Sequence, residues 1–108
     1  MNNLDIENEL IESSKLFDTK DGETIKSFLK NKFDAIVQLF ILHHHFGQAE
    51  EHYVLMVNGK YIVEMEVVDT EVLEYDAYEI KGYLLDNRKM PKHFKRRIEI
   101  ARKLSSEH

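Results

Sequence analysis

The sequence predicts an α+β fold: N-terminal helices, a three-stranded antiparallel β-meander and C-terminal helices. Three observations predict it. The stretch EHYVLMVNGKYIVEMEVVD (51–69) sets two apolar-rich runs on either side of Asn58-Gly59, a pair that readily takes positive φ at both central positions of a tight hairpin turn. Ile6, Leu10 and Phe17 before it fall near one helical stripe, and Phe94, Ile98, Ala101 and Leu104 after it form another. A single proline and four glycines leave little room for linkers, so the 108 residues are expected to form one domain, 1–108.

The elements follow in order. Asn3 can cap a first helix, with Asp5, Glu7 and Glu9 well placed in its first turns against the helix dipole. Ile11 lies beside the buried stripe. DTKDG (18–22) breaks this helix, and a second runs from about Glu23 to Lys32 with Ile25, Phe28 and Leu29 on one face. Phe33–Leu42 suits either a continued helix or a buried strand; the hairpin that follows favours a strand over 35–44. A two-residue turn at Asn58-Gly59 would set Val57 opposite Lys60, Met56 opposite Tyr61 and Val54 opposite Val63. Val54, Met56, Tyr61, Val63, Met65 and Val67 would then share an apolar face. Tyr53, Leu55, Val57, Lys60, Ile62, Glu64 and Glu66 would share a mixed one. Beyond Asp69 the pattern weakens to a short strand at Val72–Tyr75 and a helix from about Asp76 to Asp86. Pro91 opens the last helix, and SSEH is expected to fray.

Composition excludes several functions. The chain has no cysteine, hence no disulfide, no thiolate nucleophile and no cysteine zinc site. The acidic start MNNLDIENEL is not expected to act as a signal or transit peptide, and the longest apolar run, AIVQLFIL, is too short to span a bilayer. A cytoplasmic protein is expected. No phosphate loop, GxSxG elbow or glycine-rich cofactor fingerprint occurs, so neither an enzyme nor a cofactor is expected.

Charge is strongly segregated. Residues 88–103 (RKMPKHFKRRIEIARK) carry eight Lys or Arg against one Glu, a net of +7, so the other 92 residues carry −12 within a total of −5. Lys92, Lys95, Arg96 and Arg97 crowd the start of the last helix, where exposed cations oppose the dipole by roughly 0.3–1 kcal/mol each. Phosphate binding on RNA or DNA would explain them. Neutralisation by the acids of 64–79 would explain them equally. The α-β-β-β-α order, the VNGK hairpin and this basic helix start resemble, in outline, the double-stranded RNA-binding domain. That resemblance implies phosphate contacts from Lys92, Lys95 and Arg96; the acidic stretch before the last helix has no counterpart in that family.

Residues 64–79 (EMEVVDTEVLEYDAYE) hold seven acids and no base. Interleaved with Tyr75, Tyr78 and Tyr83, they could form an acidic surface with aromatic anchors, of the kind that docks on a basic partner. Glu71, Glu74, Tyr75, Asp76, Tyr78 and Glu79 are its expected residues. A solvated edge strand is the plainer reading. FILHHHFGQAEEH (40–52) adds four histidines. On a strand, His43 and His45 would share one face, and His44 would lie on the other as a cross-strand neighbour of His52. Imidazoles so placed suit zinc, copper or nickel, with Glu50 or Glu51 to complete a set, though no recognised ligand spacing occurs. They equally suit the wet end of a strand, a pH-sensitive patch, or a His-dependent hydrolase using His44 or His52.

The expected function is that of a small, non-enzymatic, adaptor- or inhibitor-like protein that binds a basic protein partner through its acidic, tyrosine-bearing surface. Nucleic-acid binding through the last helix is the alternative, and histidine metal binding or hydrolysis a second. A homodimer is expected if the mixed face of Tyr53, Leu55, Val57 and Ile62 stays uncovered.

Overall fold

The computed structural model describes residues 3–69, 71–86 and 90–106. The cap expected from the Asn3 side chain, and Arg88, Lys89, Glu107 and His108 of the expected basic run and frayed end, lie outside those described features. The element order is α1 (Asn3–Ser14), a 3-10 turn (Lys15–Asp18), α2 (Lys20–Lys32), β1 (Leu39–Phe46), β2 (Glu51–Val57), β3 (Tyr61–Val68), β4 (Glu71–Glu79), α3 (Ile80–Asp86) and α4 (Lys92–Ser106). The class is α+β as expected, but the antiparallel sheet has four strands, in the order β1-β2-β3-β4. The short strand expected at Val72–Tyr75 is the middle of a longer edge strand, β4, and the helix expected from about Asp76 begins only at Ile80, as α3. The simple α-β-β-β-α outline is therefore not kept.

Helices pack on both faces of this sheet. On the first face, Ile6 and Leu10 of α1, Ile80 and Tyr83 of α3, and Ile98, Ile100, Ala101 and Leu104 of α4 cover Phe40, Leu42, Met56 and Ile62. On the second, Phe17 of the 3-10 turn and Ile25 and Leu29 of α2 cover Leu39, Tyr53, Leu55, Val57, Val63, Met65 and Val67. Thr19 starts α2 by accepting the Gly22 N–H at 3.3 Å, inside the DTKDG segment expected to be a break. Ile11 stays 43% exposed, whereas Leu10 is fully buried.

The expected apolar and mixed faces are corrected by one residue of register. Asn58 and Gly59 do take positive φ, 56° and 65°, and the Lys60 N–H bonds Val57 O at 3.1 Å. The Lys60 carbonyl, however, accepts the Ile80 N–H that opens α3, at 3.1 Å. Pairing therefore begins at Val57↔Tyr61, so Met56 faces Ile62 and Leu55 faces Val63. A one-residue slip moves every side chain of one strand to the other face. Tyr53, Leu55 and Val57 thus join Val63, Met65 and Val67 under α2, while Ile62 joins Met56 beneath α4. The ground for a homodimer on an exposed mixed face is gone. Gly59 is needed twice: for its φ, and because a Cβ there would meet Ser105 Cβ at 2.6 Å. Far from fraying, Ser105 is helical and donates to Ala101 O at 2.9 Å.

Asn58 does more than turn the chain. Its Oδ1 accepts the N–H groups of Val37 and Gln38 at 2.7 and 3.1 Å, and its Nδ2 donates to Ala35 O at 2.7 Å. These bonds hold residues 33–38 as an irregular connector, so β1 begins at Leu39 and not near residue 35. A bulge at Leu42 then shifts β1 between Ile41 and His43. The free edge of β1 is capped there by side chains: the Ile41 N–H bonds Ser13 Oγ at 3.0 Å, and Arg97 donates to Leu42 O at 2.9 Å and Ile41 O at 3.3 Å. Capping of this kind removes a template for edge pairing.

Candidate functional site

The first face of the sheet divides across its strands into rows, which follow from the register. The row Phe40–Met56–Ile62–Tyr78 lies beneath the helices. Two residues along β2, β3 and β4, and three along the bulged β1, comes His43–Val54–Glu64–Asp76, and two further along each strand comes His45–His52–Glu66–Glu74. Of these eight residues only Val54 and Glu66 are half-buried; the rest are exposed. One half of the face is a core and the other an open histidine–carboxylate platform.

The platform exists because of two local features. The Leu42 bulge places Leu42 and His43 on the same side, so the core-lining strand becomes a histidine strand within one residue. The one-residue register correction brings Glu64 and Glu66 of β3 onto this side, beside Asp76 and Glu74 of β4. His43, His45 and His52 therefore share a face: the His45 and His52 rings lie 5.9 Å apart and those of His43 and His45 6.5 Å apart. The expected pairing of His44 with His52 is corrected, since His52 pairs with His45. His44 lies on the opposite face, stacked on Tyr53 at 4.1 Å and 3.7 Å from Glu51. Desolvation there holds its pKa below the ordinary histidine value, with Glu51 opposing the shift and His43 and His45 adding to it.

The carboxylates are poorly compensated. Glu64 directly opposes Asp76, and Glu66 opposes Glu74; like charges directly opposed destabilise a sheet. The Glu64 carboxyl is pushed above the usual range, first by desolvation among its neighbours and then by Asp76. Among the described residues, no Lys or Arg comes within ion-pair distance of these four acids. The neutralisation expected from the basic helix is not made there: Arg97 of α4 pairs instead with Glu9 of α1 at 2.6 Å. His52, Val54, Glu64, Glu66, Glu74 and Asp76 line a shallow depression of about 220 Å³.

The other expected residues are dispersed. Tyr75 points to the second face and meets Phe28 edge-on at 5.3 Å, with Lys32 over both rings. Tyr78 packs against Tyr83 at 5.6 Å on the first face. The tyrosines expected as partner anchors thus serve this protein's own packing. Glu79 lies with Tyr75 around a separate depression beside Lys32 and Tyr61, and the exposed Glu71 opposes Val68 at the far end of β4. Of the basic group, Lys92 and Arg96 are exposed around a depression with Ile6 and His93, Lys95 is half-buried, and Arg97 is committed to β1 and Glu9. Glu64 and Glu66 are platform residues that are not among the expected site residues. Their i, i+2 spacing on a strand beside an acidic strand was the available signal.

Comparison with protein-family models, with curated proteins and with solved structures found no match to this chain. Among the described residues no helix is long and apolar enough to cross a membrane. The fold and this platform are therefore what a functional reading has to stand on.

Proposed function

We propose that this protein is a small non-enzymatic binding protein, adaptor- or inhibitor-like, whose open sheet face docks a Lys/Arg-rich surface of a protein partner. One observation carries the reading: Glu64, Glu66, Glu74 and Asp76 face one another across β3 and β4 with no Lys or Arg among the described residues to offset them. An arrangement that costs folding stability and leaves its charge uncompensated is suited to a cationic partner, whose approach the same field would accelerate. The contact is carried by carboxylates on rigid strands, and the tyrosines support it from within the fold.

The test is charge reversal against a defined probe, an oligolysine peptide, followed by capture from nuclease-treated extract. Peptide binding is expected to shift backbone signals of residues 52, 64, 66, 74 and 76, to weaken with salt, and to be lost in Glu74→Lys/Asp76→Lys. The same protein partner should be captured by the wild type and by Lys92→Glu/Arg96→Glu, and not by the acidic-face variant. Loss that follows the α4 changes, or recovery of nucleic acid alone before nuclease treatment, would overturn the reading in favour of the basic helix.

A further inference from the structure

The outer row of the platform holds a group whose chemistry differs from that of an acidic patch. Glu50, His52 and Glu66 each present one ligand atom, and the three atoms lie within 4.8 Å of one another. The sheet fixes two of them, and the third comes from the turn just before β2. His52 and Glu66 are directly opposed on β2 and β3. Glu50 stands two residues before His52, just ahead of β2, and returns over the same face.

One of the three separations is close to that of a coordination sphere, and all lie within 4.8 Å. A tetrahedral ion with ligands at about 2.0–2.2 Å separates them by about 3.4 Å. His52 Nε2 and Glu50 Oε1 are 3.6 Å apart. The Glu50 carboxylate is already oriented: its Oε2 accepts the Ala49 N–H at 3.2 Å, which leaves Oε1 for the shared centre. Second-sphere hydrogen bonding of this type sets ligands in metal sites. His45, the cross-strand neighbour of His52 with its ring stacked 5.9 Å away, lies beside this group and is not part of it. Glu66 is half-buried and directly opposes Glu74, so an ion there would also relieve a like-charge pair.

We propose that Glu50, His52 and Glu66 form a binding site for a divalent transition-metal ion of the zinc type. One imidazole nitrogen with two carboxylate oxygens is a borderline donor set. It suits zinc better than calcium, which takes six to eight oxygens, or magnesium, which keeps most of its waters. The site does not depend on the docking reading, which rests on Glu64, Glu74 and Asp76 as well and requires no metal.

The experiment is calorimetric titration of the full chain, stripped with chelator, with zinc alone, and with calcium as the comparison ion. One zinc per chain is expected, with little or no calcium heat. His52→Ala and Glu66→Gln should each weaken zinc binding by about 10–100-fold or more, and the His52 imidazole resonances should shift on saturation. His44→Ala, on the other face, should bind zinc as the wild type does. A backbone amide spectrum of each variant establishes that it is folded, and Glu50→Gln provides a second test if His52→Ala is not. Undiminished binding in folded His52→Ala and Glu66→Gln, loss that follows His43 and spares Glu66, or calcium binding as tight as zinc would each overturn the site. Because Glu74→Lys/Asp76→Lys leaves all three ligands in place, failure of the docking reading and failure of this one are read from different variants.

Discussion

The two halves of one sheet face are built from the same strands and differ completely in chemistry. Phe40, Met56 and Ile62 are buried beneath α1, α3 and α4; in the next row, His43, Glu64 and Asp76 meet water. What divides them is where the helices end. Arg97 pins α4 to the bulge of β1, and the Ile80 N–H pins the start of α3 to Lys60, so both helices sit toward the hairpin-turn end of the face. The comparison teaches that a polar row on a strand need not mean an exposed strand. The second face of β2 and β3 is buried along nearly its whole length by α2 and the 3-10 turn. The platform is a local opening in an otherwise covered sheet.

The strongest way to break this comparison is to remove a side chain from the covered half. Ile62 is fully buried between Met56 and the helices. Ile62→Ala deletes methyl and methylene groups and leaves a cavity, and should cost about 2–5 kcal/mol. Denaturant melts would show this as a lower midpoint. A loss under about 1 kcal/mol would mean that the covered half is not a packed core.

Tyr83 tests the boundary between the halves. It is buried in α3, and its phenol is pushed up to about 12, by burial first and then by the nearby Glu64 and Tyr78. A folded-state pKa above the unfolded value of 10.0 means that the native state holds its proton longer. Tyr83 therefore leaves stability unchanged below pH 10, and stability falls as pH rises from there toward 12. Tyr83→Phe should flatten that alkaline limb while leaving neutral-pH stability much the same. Equilibrium melts of both proteins between pH 8 and 12 would decide it, and an unchanged limb in the variant would place the phenol in water.

How much of this was legible in the sequence depends on whether the determining contact was local. The hairpin at Asn58-Gly59 and the helices on either side were legible, because turn chemistry and periodicity are local. The register was not, because pairing from Val57↔Tyr61 goes with a contact from twenty residues away, the Ile80 N–H on the Lys60 carbonyl. The β2–β3 register decides which residues face which core, and the bulge of β1 decides the histidine pairing. The fourth strand was legible only as a short strand at Val72–Tyr75; its full length, Glu71–Glu79, and its place in the sheet were not. β4 is an edge strand with acids on both faces, and it lacks the alternation of a half-buried strand. The candidate ligands His52 and Glu50 were visible as residue types; their partner Glu66 became visible only through the corrected register.

The smallest expected effect has the opposite sign to the first, which is what makes it the sharpest contrast between the halves. Glu64 and Asp76 oppose each other directly across β3 and β4, and both are exposed. Removing one charge leaves a neutral cross-strand contact, so Asp76→Asn should stabilise the protein by about 0.2–1 kcal/mol, in the range of cross-strand pair terms. The sign with pH follows from Glu64, whose carboxyl lies above its ordinary value of 4.5 by desolvation and then by Asp76. Its raised folded-state pKa favours the native state at low pH, and that advantage is lost as pH rises through the folded value. The gain from Asp76→Asn should therefore be absent near pH 3, appear above 4.5 and be complete by neutrality. It should also shrink in high salt, which screens exposed charges. Melts in chelator at low ionic strength, with the Glu64 titration followed by side-chain carbonyl NMR, would measure both. A clear loss of stability in the variant would show that Asp76 is held by a favourable partner, and the platform would then not be the uncompensated surface on which the docking reading rests.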